Sequence, residues 1–230
     1  MNKLLWFPLL LIGLPLFSQI PRWEFDISGA AAFPRGEMQD LLDDDGFGIG
    51  LRLAHRLGRS PFVVGFDFNA LELESDEFDT YEFIDGYAIP TATELEVSSN
   101  VLMGHLSLRL QRPNGILRPY VEGLLGVKYF ETEMKWFFDD DYDDEPFDTE
   151  TVTDDTALSY GLGVGINMDI RRYGNGPGIS LRAGCRYLQG SEATYVVDNS
   201  VEFDGVFVDY LTAETETDML SVDVGLTFRF

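Results

Sequence analysis

The sequence predicts an all-β fold, an antiparallel up-and-down barrel of eight strands. Three observations predict it. Apolar and polar residues alternate with a period of two along most of the chain, short turns alternate with long connections, and most acidic residues lie in the long connections. A period of two is typical of strands with one apolar face, because successive side chains of a strand point to opposite faces.

Three strands show the alternation most clearly. From Leu158 to Ile170, large apolar residues occupy every even position, and Ser, Gly, Asn and Asp occupy the odd positions. The same pattern recurs from Ile179 to Tyr187 and from Leu220 to Phe230. Each of these stretches is long enough for a tilted crossing of a bilayer, which takes about 9–11 residues.

Five further strands follow the rule less regularly. Their apolar faces begin at Trp23, Phe47, Phe62, Leu95 and Val121. The strands that begin at Phe62 and Leu95 change phase by one residue, at Leu71 and at Leu102. Such shifts predict β-bulges, or strand ends that leave the membrane.

The connections alternate in length. Three short ones, at 58–61, 112–118 and 171–177, contain Gly, Pro or Asn, which favour turns. Four long ones cover residues 34–45, 74–94, 134–156 and 189–217. An eight-stranded up-and-down barrel has this arrangement when both termini lie at the end with the short turns.

Charge follows the same division of the chain. The formal net charge is −24, from 40 acidic and 16 basic residues, and this argues against nucleic acid as a partner. Most of the acids lie in the long connections. The bases concentrate at or beside the short turns, as Arg56, Arg59, Arg109, Arg112, Arg118, Arg171 and Arg172. Outer-membrane barrels have short periplasmic turns and longer external loops, so the pattern predicts a barrel with one fixed orientation.

The polar face favours a membrane barrel over a soluble one. It carries many glycines: Gly48, Gly50, Gly65, Gly126, Gly161, Gly163, Gly165, Gly184 and Gly225. A narrow eight-stranded interior has room for only some large side chains, whereas a solvated outer face has no need of glycine. The charges on this face have both signs, namely Glu24, Asp26, Asp67, Glu122 and Asp223 against Arg52, Lys128, Arg182 and Arg186. Inside a barrel these groups can pair.

The N-terminus has the pattern of an export signal. Lys3 precedes an almost wholly apolar run from Leu4 to Phe17, and Ser18 offers a small residue for cleavage. We therefore expect a signal peptide at 1–18 and a barrel domain at 19–230. A membrane anchor is the alternative, but the run is short and contains Pro8. The single cysteine, Cys185, can form no internal disulfide.

Particular residues carry a family resemblance. These are the signal peptide, the opening Arg118-Pro119-Tyr120-Val121-Glu122-Gly123 of the fifth strand, and the alternating last strand that ends in Phe230. With them the chain resembles the small outer-membrane β-barrel superfamily of the OmpA transmembrane domain, OmpX and the opacity-like adhesins. The resemblance implies location in a bacterial outer membrane, contact with its lipid and lipopolysaccharide, and a monomer. It also implies that Phe230 is a signal for the barrel-insertion machinery. Function varies within this superfamily.

Two groups of residues are candidates for sites. The interior charges Arg52, Asp67, Glu122, Lys128, Arg182, Arg186 and Asp223 predict a salt-bridged cluster that fixes the register, or alternatively a polar channel. An acidic connection places Asp139, Asp141, Asp143 and Glu150 at EF-hand spacing. The sixth position is Asp144 instead of glycine, and flanking helices are not expected, so we predict no EF-hand. A looser Ca²⁺ or Mg²⁺ site and a merely solvated loop remain the alternatives. No other cofactor is expected.

Three functions are compatible with the sequence. The first is a non-enzymatic barrel with a role in envelope structure or in surface interaction through long acidic loops that contain aromatic residues. The second is a narrow porin-like pore for solutes or ions. The third is a lipid A-modifying hydrolase, because His105-Leu106-Ser107 is similar to the histidine-x-serine pair of outer-membrane lipid A deacylases. His105 is predicted to face inward as a structural residue, and we expect no enzyme.

Overall fold

The computed structural model describes residues 22–42, 45–84, 87–138, 148–172, 177–197, 202–203 and 208–230. The predicted signal peptide at 1–18 lies outside these residues. Within these ranges the strands are β1 Trp23–Pro34, β2 Gly46–Arg56, β3 Phe62–Ile84, β4 Tyr87–Gln111, β5 Leu117–Phe138, β6 Asp148–Arg172, β7 Gly178–Gly190, β8 Glu192–Val196, β9 Glu202–Phe203, β10 Val208–Asp209, β11 Thr212–Glu216 and β12 Met219–Arg229. A five-residue 3₁₀ helix, Gly36–Asp40, follows β1.

Eight of the strands form one closed barrel, which confirms the predicted fold. Around the barrel the order is β1, β12, β7, β6, β5, β4, β3 and β2, and every neighbouring pair is antiparallel. Closure occurs between β1 and β12, where Glu24 pairs with Arg229 and Pro34 pairs with Met219. Because the sheet closes, the barrel strands leave no unpaired edge within the wall.

The two ends of the barrel differ. At one end, the turn end, lie the strand ends that the three short connections join and the meeting point of the first and last strands. There the Trp23 N–H donates to the carbonyl of Phe230, and the Phe230 N–H donates to the carbonyl of Trp23, both at 3.0 Å. Gly58 has a φ of 63° in the first turn, a conformation that favours glycine. The opposite end is the loop end.

The long connections contain more strand than predicted. The predicted loop 74–94 is largely strand, because β3 and β4 continue to Ile84 and from Tyr87. In the same way, β5 and β6 extend well into 134–156. The last long connection holds two short hairpins, β8 with β11 and β9 with β10. Alternation identified only the part of each strand that crosses the barrel wall, where one face is apolar.

One predicted phase shift is wrong in its position. Leu71 and Leu73 do not mark a bulge: they keep the inward phase of Asp67 and Asn69, and both are buried. The register shift lies just beyond, between Glu72 and Glu74. The predicted outward apolar face that begins at Leu95 points inward before the change of phase at Leu102, because Val97 and Val101 are both buried. The change in the sequence pattern therefore marks the point where the interior of the barrel becomes apolar towards the loop end.

Candidate functional site

The middle of the interior is a network of eight buried charged side chains. Its members are four arginines, Arg52, Arg109, Arg182 and Arg186, and four carboxylates, Asp26, Asp67, Glu122 and Asp223. We call this set the central charge network. Arg186 lies at its centre, with Nη2 2.5 Å from Asp67 Oδ1 and Nε 2.9 Å from Glu122 Oε1. Formal charges in the network cancel, which offsets the cost of removing each ion from water.

The other arginines extend the network around the wall. Arg182 Nη1 lies 2.9 Å from Asp26 Oδ2, and its Nη2 lies 2.8 Å from Asp223 Oδ2. Arg52 joins Asp26 to Asp67, at 3.3 Å and 3.4 Å. Three of these four contacts link neighbouring strands of the wall, and the Arg182–Asp26 pair links β7 to β1. The Arg186–Asp67 pair joins β7 to β3 on the opposite side of the barrel, so it also fixes the relative position of strands that are distant in sequence.

Tyr120 packs inside the network where the wall provides glycine. The guanidinium carbon of Arg109 lies 3.7 Å from the centre of the Tyr120 ring, in cation–π geometry. A Cβ at Gly184 would lie 2.7 Å from Tyr120 Oη, and a Cβ at Gly165 would also collide with this hydroxyl. The inward glycines therefore create the room that the large side chains fill.

The structure brings six of the seven predicted interior residues into this network. The seventh, Lys128, lies nearer the loop end, and its Nζ donates to the backbone carbonyls of Leu188 and Thr217. Glu24 and Asp26, which the alternation placed on the same face, are also buried inside. Five further charged residues face inward but were not among the predicted site residues, namely Arg56, Arg109, Arg118, Asp169 and Arg229. The alternation placed Asp169 and Arg229 on the polar face, whereas Arg56, Arg109 and Arg118 were assigned to the short turns. Their place in the period-two alternation could have identified them, but they lie beside turns or at a strand end.

Apolar side chains fill the interior at the loop end. The barrel wall contributes Leu71, Val101, Met103, Leu188 and Met219, and the loops contribute Met38, Leu42, Ala193 and Tyr195. We call these nine residues the loop-end plug. Met38 comes from the 3₁₀ helix, and Tyr195 from β8 stacks at 6.0 Å, centre to centre, against Phe130. These groups fill the interior on the loop-end side of the central charge network.

The histidine-x-serine pair is not joined in the structure. His105 Nε2 is 2.9 Å from Ser159 Oγ, whereas Ser107 Oγ donates to Asp67 Oδ2 at 2.6 Å. All of these side chains are buried inside the barrel. These contacts join polar groups of the interior, and His105 Nδ1 has no hydrogen-bond partner among the described residues. Lipid outside the wall cannot reach these side chains without a rearrangement.

The outer surface of the barrel is apolar. Large aliphatic and aromatic side chains cover the wall on every barrel strand, and Leu162 is the most exposed of them, at 74%. On β6 this apolar belt runs from Leu158 to Ile170. Charge inside and hydrocarbon outside is the inverse of a water-soluble barrel, and it matches a bilayer as the surrounding solvent. The chain is an integral outer-membrane β-barrel.

The other predicted site residues are Phe230 and the four candidate cation ligands, and only some of them lie within the described residues. Phe230 is exposed next to the junction of β12 with β1. Glu150 is exposed on β6, and the other three predicted cation ligands, Asp139, Asp141 and Asp143, lie outside the described residues. Within the described ranges no three His, Cys, Asp or Glu side chains are grouped to hold a metal ion. The cation site therefore stays a prediction.

No helix among the described residues is both long enough and apolar enough to cross a membrane.

Comparisons with known proteins give matches in shape. No protein-family model and no curated protein matches the chain. Neisserial surface protein A (NspA) is 11% identical over 90% of this chain and 95% of its own, with a TM-score of 0.45. Ail, the attachment invasion locus protein of Yersinia pestis, is 13% identical over 91% of this chain and 99% of its own, with a TM-score of 0.44.

A major outer membrane protein from Thermus thermophilus is 14% identical over 90% of this chain and 99% of its own, with a TM-score of 0.40. At such identities and scores, the likeness concerns general shape and assigns no ligand or activity to this chain.

Proposed function

We propose that this barrel is a non-conducting, non-enzymatic surface protein whose acidic hairpins at the loop end are its interacting part. The observation that carries the proposal is the filling of the described interior in two successive layers. The central charge network occupies the middle, and the loop-end plug covers it. A transport role would need a continuous polar path, and eight strands leave little room for one.

The hairpins at the loop end support the second half of the proposal. β5 and β6 continue beyond the apolar belt, and their pairing runs as far as Trp136 and Asp148. Exposed acidic side chains lie along these extensions and along the β8–β11 pair, namely Asp148, Glu150, Asp154, Glu192, Glu214 and Glu216. Such a surface attracts cationic groups of a partner and repels anionic ones, over a range limited by screening.

Planar-bilayer recording tests the first half of the proposal. We expect the purified full chain to give no ion conductance above that of a protein-free bilayer. Steady conductance from the unmodified chain would contradict the proposal and favour the porin-like alternative. Conductance only after Met38→Asp, which places a charge in the loop-end plug, would support a closed lumen that the plug blocks.

Binding to a cationic probe tests the second half. We expect polylysine to bind the barrel in lipid nanodiscs, with an affinity that falls as salt rises. A triple Glu150→Gln, Glu214→Gln, Glu216→Gln variant should bind more weakly. The matched Glu→Asp triple variant keeps the charge and should bind as the parent does. Equal binding by both triple variants would contradict a role for these acids.

The partners expected from the sequence belong to the same proposal. The barrel acts as a monomer in contact with outer-membrane lipid and lipopolysaccharide, and the insertion machinery reads the strand that ends in Phe230. A hydrolase remains the alternative with catalytic chemistry. Lipid analysis of cells that express the parent or the His105→Ala variant tests it: a lipid change that needs His105 would overturn the non-enzymatic proposal.

A further inference from the structure

A second group of charges lies at the turn end of the interior. It contains Arg56, Arg118 and Arg229, with the carboxylates of Glu24 and Asp169 between them. Arg56 Nη2 is 3.0 Å from Glu24 Oε1, Arg118 Nη2 is 3.0 Å from Asp169 Oδ1, and Arg229 Nη2 is 2.8 Å from the same Asp169 oxygen. We call the three arginines the turn-end arginine cluster.

The charges in this group do not cancel. Three guanidinium groups face two carboxylates, and all three arginines are buried, with Arg118 only 1% exposed. A buried lysine can lose its proton and become neutral, but arginine stays charged in proteins. One positive charge is therefore left over, next to a membrane interior where an uncompensated ion is costly.

The guanidinium groups also have unused donors. Among the described residues, Arg118 Nε and Nη1, Arg229 Nε and Arg56 Nη1 have no hydrogen-bond partner. Arg118 Nη1 is 3.8 Å from Glu24 Oε1, which is too long for a hydrogen bond. Gln111 lies beside the cluster, and its Oε1 accepts a hydrogen bond from Arg56 Nη2. The Nε2 donor of Gln111 also has no partner in the described part of the chain.

The surroundings of the cluster are basic as well. All five charged members lie near strand ends on the side of the short turns, and Arg22, Arg59, Arg112 and Arg171 are exposed at the same end. The acidic surface lies at the loop end, across the thickness of the membrane. The local potential at the turn end therefore favours an anion.

We propose that the turn-end arginine cluster binds one phosphate group. Guanidinium groups recognise phosphate with paired N–H donors, and a single bound anion neutralises the leftover charge while accepting from several of the unused donors. The source of the phosphate is either the free ion in the periplasm or the headgroup of a phospholipid in the adjacent leaflet. Both sources present the same oxygen acceptors to the arginines.

Thermal unfolding of the full chain in maltoside detergent, which contains no phosphate, tests the free ion. At constant ionic strength, we expect sodium phosphate at ten times its Kd to raise the Tm of the parent by about 3–6 °C. Arg118→Gln should abolish this rise, and Arg112→Gln, which changes an exposed arginine at the same end, should keep it. Arg229→Gln serves as a second variant in case Arg118→Gln does not fold.

A second arm tests the lipid. The same proteins are transferred to nanodiscs of phosphatidylglycerol, and bound lipid is counted by native mass spectrometry after return to maltoside. Retention of one phospholipid by the parent and Arg112→Gln, but not by Arg118→Gln or Arg229→Gln, would assign the site to the headgroup. Equal Tm responses and equal lipid retention in parent and cluster variants would overturn the proposal.

Discussion

The two halves of the barrel interior are filled by different kinds of interaction. The central charge network joins strands by ion pairs between side chains of the wall, and every member belongs to a barrel strand. The loop-end plug closes its half with apolar side chains, some of which come from connections, such as Met38 and Tyr195. The first half depends on pairing and the second on packing.

This difference shows how an eight-stranded barrel distributes its polarity. The members of the central charge network can occupy the interior because each has an opposite charge within reach and glycines make space for them. Near the loop end the same inward positions carry leucine, valine and methionine, and loop residues complete the packing. Substitutions in the two halves should therefore destabilise the barrel for different physical reasons.

The largest effect is expected from Arg186→Met in the central charge network. Loss of this guanidinium removes the closest partner of Asp67 and one of the two arginines that pair with Glu122, and breaking a buried pair from one side costs about 3–5 kcal/mol of unfolding free energy. Urea unfolding in lipid vesicles, followed by tryptophan fluorescence, measures it. Arg112→Met, at an exposed position, is the control and should change stability by less than about 0.5 kcal/mol. Similar values for the two variants would contradict the role of the network.

A smaller loss is expected in the loop-end plug, where Met103→Ala removes packing without exposing a charge. Met103 is 1% exposed, so its truncation leaves a cavity and costs about 2–5 kcal/mol. The matched control is Met168→Ala, because Met168 points outward and lipid can fill the space it leaves. The same unfolding assay should show the larger loss for Met103. A larger loss for Met168 would mean that the assigned faces are reversed.

The third prediction extends the comparison from the interior to the wall. Leu162→Arg places on the lipid side the kind of charge that the interior accommodates, and it should cost about 2–4 kcal/mol if this position lies near the bilayer midplane. Leu162→Ala controls for the loss of the side chain and should cost less. An arginine tolerated as well as alanine would show that this face does not contact hydrocarbon.

The smallest effect on stability is expected at a hydrogen-bonded link between β6 and β8, beyond the apolar belt. The backbone N–H groups of Thr194 and Thr156 donate to the carboxylate of Asp155 and lower its pKa below the usual range for aspartate. A lowered folded-state pKa means that this link stabilises β8 above the unfolded-state pKa and is lost as the pH falls through the lowered value. The amide NMR signal of Thr194 should titrate with this midpoint. A midpoint at or above the ordinary aspartate pKa would contradict the link.

Much of the fold could be predicted from the sequence, because closure imposes a strict period of two. The run from Leu158 to Ile170 is outward at each even position, as its pattern indicated. The lengths of β3 and β4 could not be read in this way, since beyond the membrane neither face has to be apolar. Strict alternation places Leu71 and Leu73 on the inward face of Asp67, but their apolar side chains suggested a change of phase. Alternation could not foresee that a connection supplies Met38 to an apolar part of the interior.

The interior charges were predictable in kind but not in arrangement. Period two placed Arg186, Asp67 and Glu122 on one face. Their pairing depends on the stagger of strands that are more than 50 residues apart, which only the closed sheet defines. Lys128 shares the face, yet it lies too near the loop end to join the network.

Spin labelling tests the central claim, that the wall is apolar outside and charged inside, most directly. A nitroxide at Leu162→Cys, in a Cys185→Ala background and in lipid vesicles, should collide readily with dissolved oxygen and rarely with a water-soluble nickel complex. Cys185 points outward, so its replacement leaves the interior unchanged. The reverse pattern, with the nickel complex reaching the label and oxygen depleted, would place Leu162 in water and contradict the account.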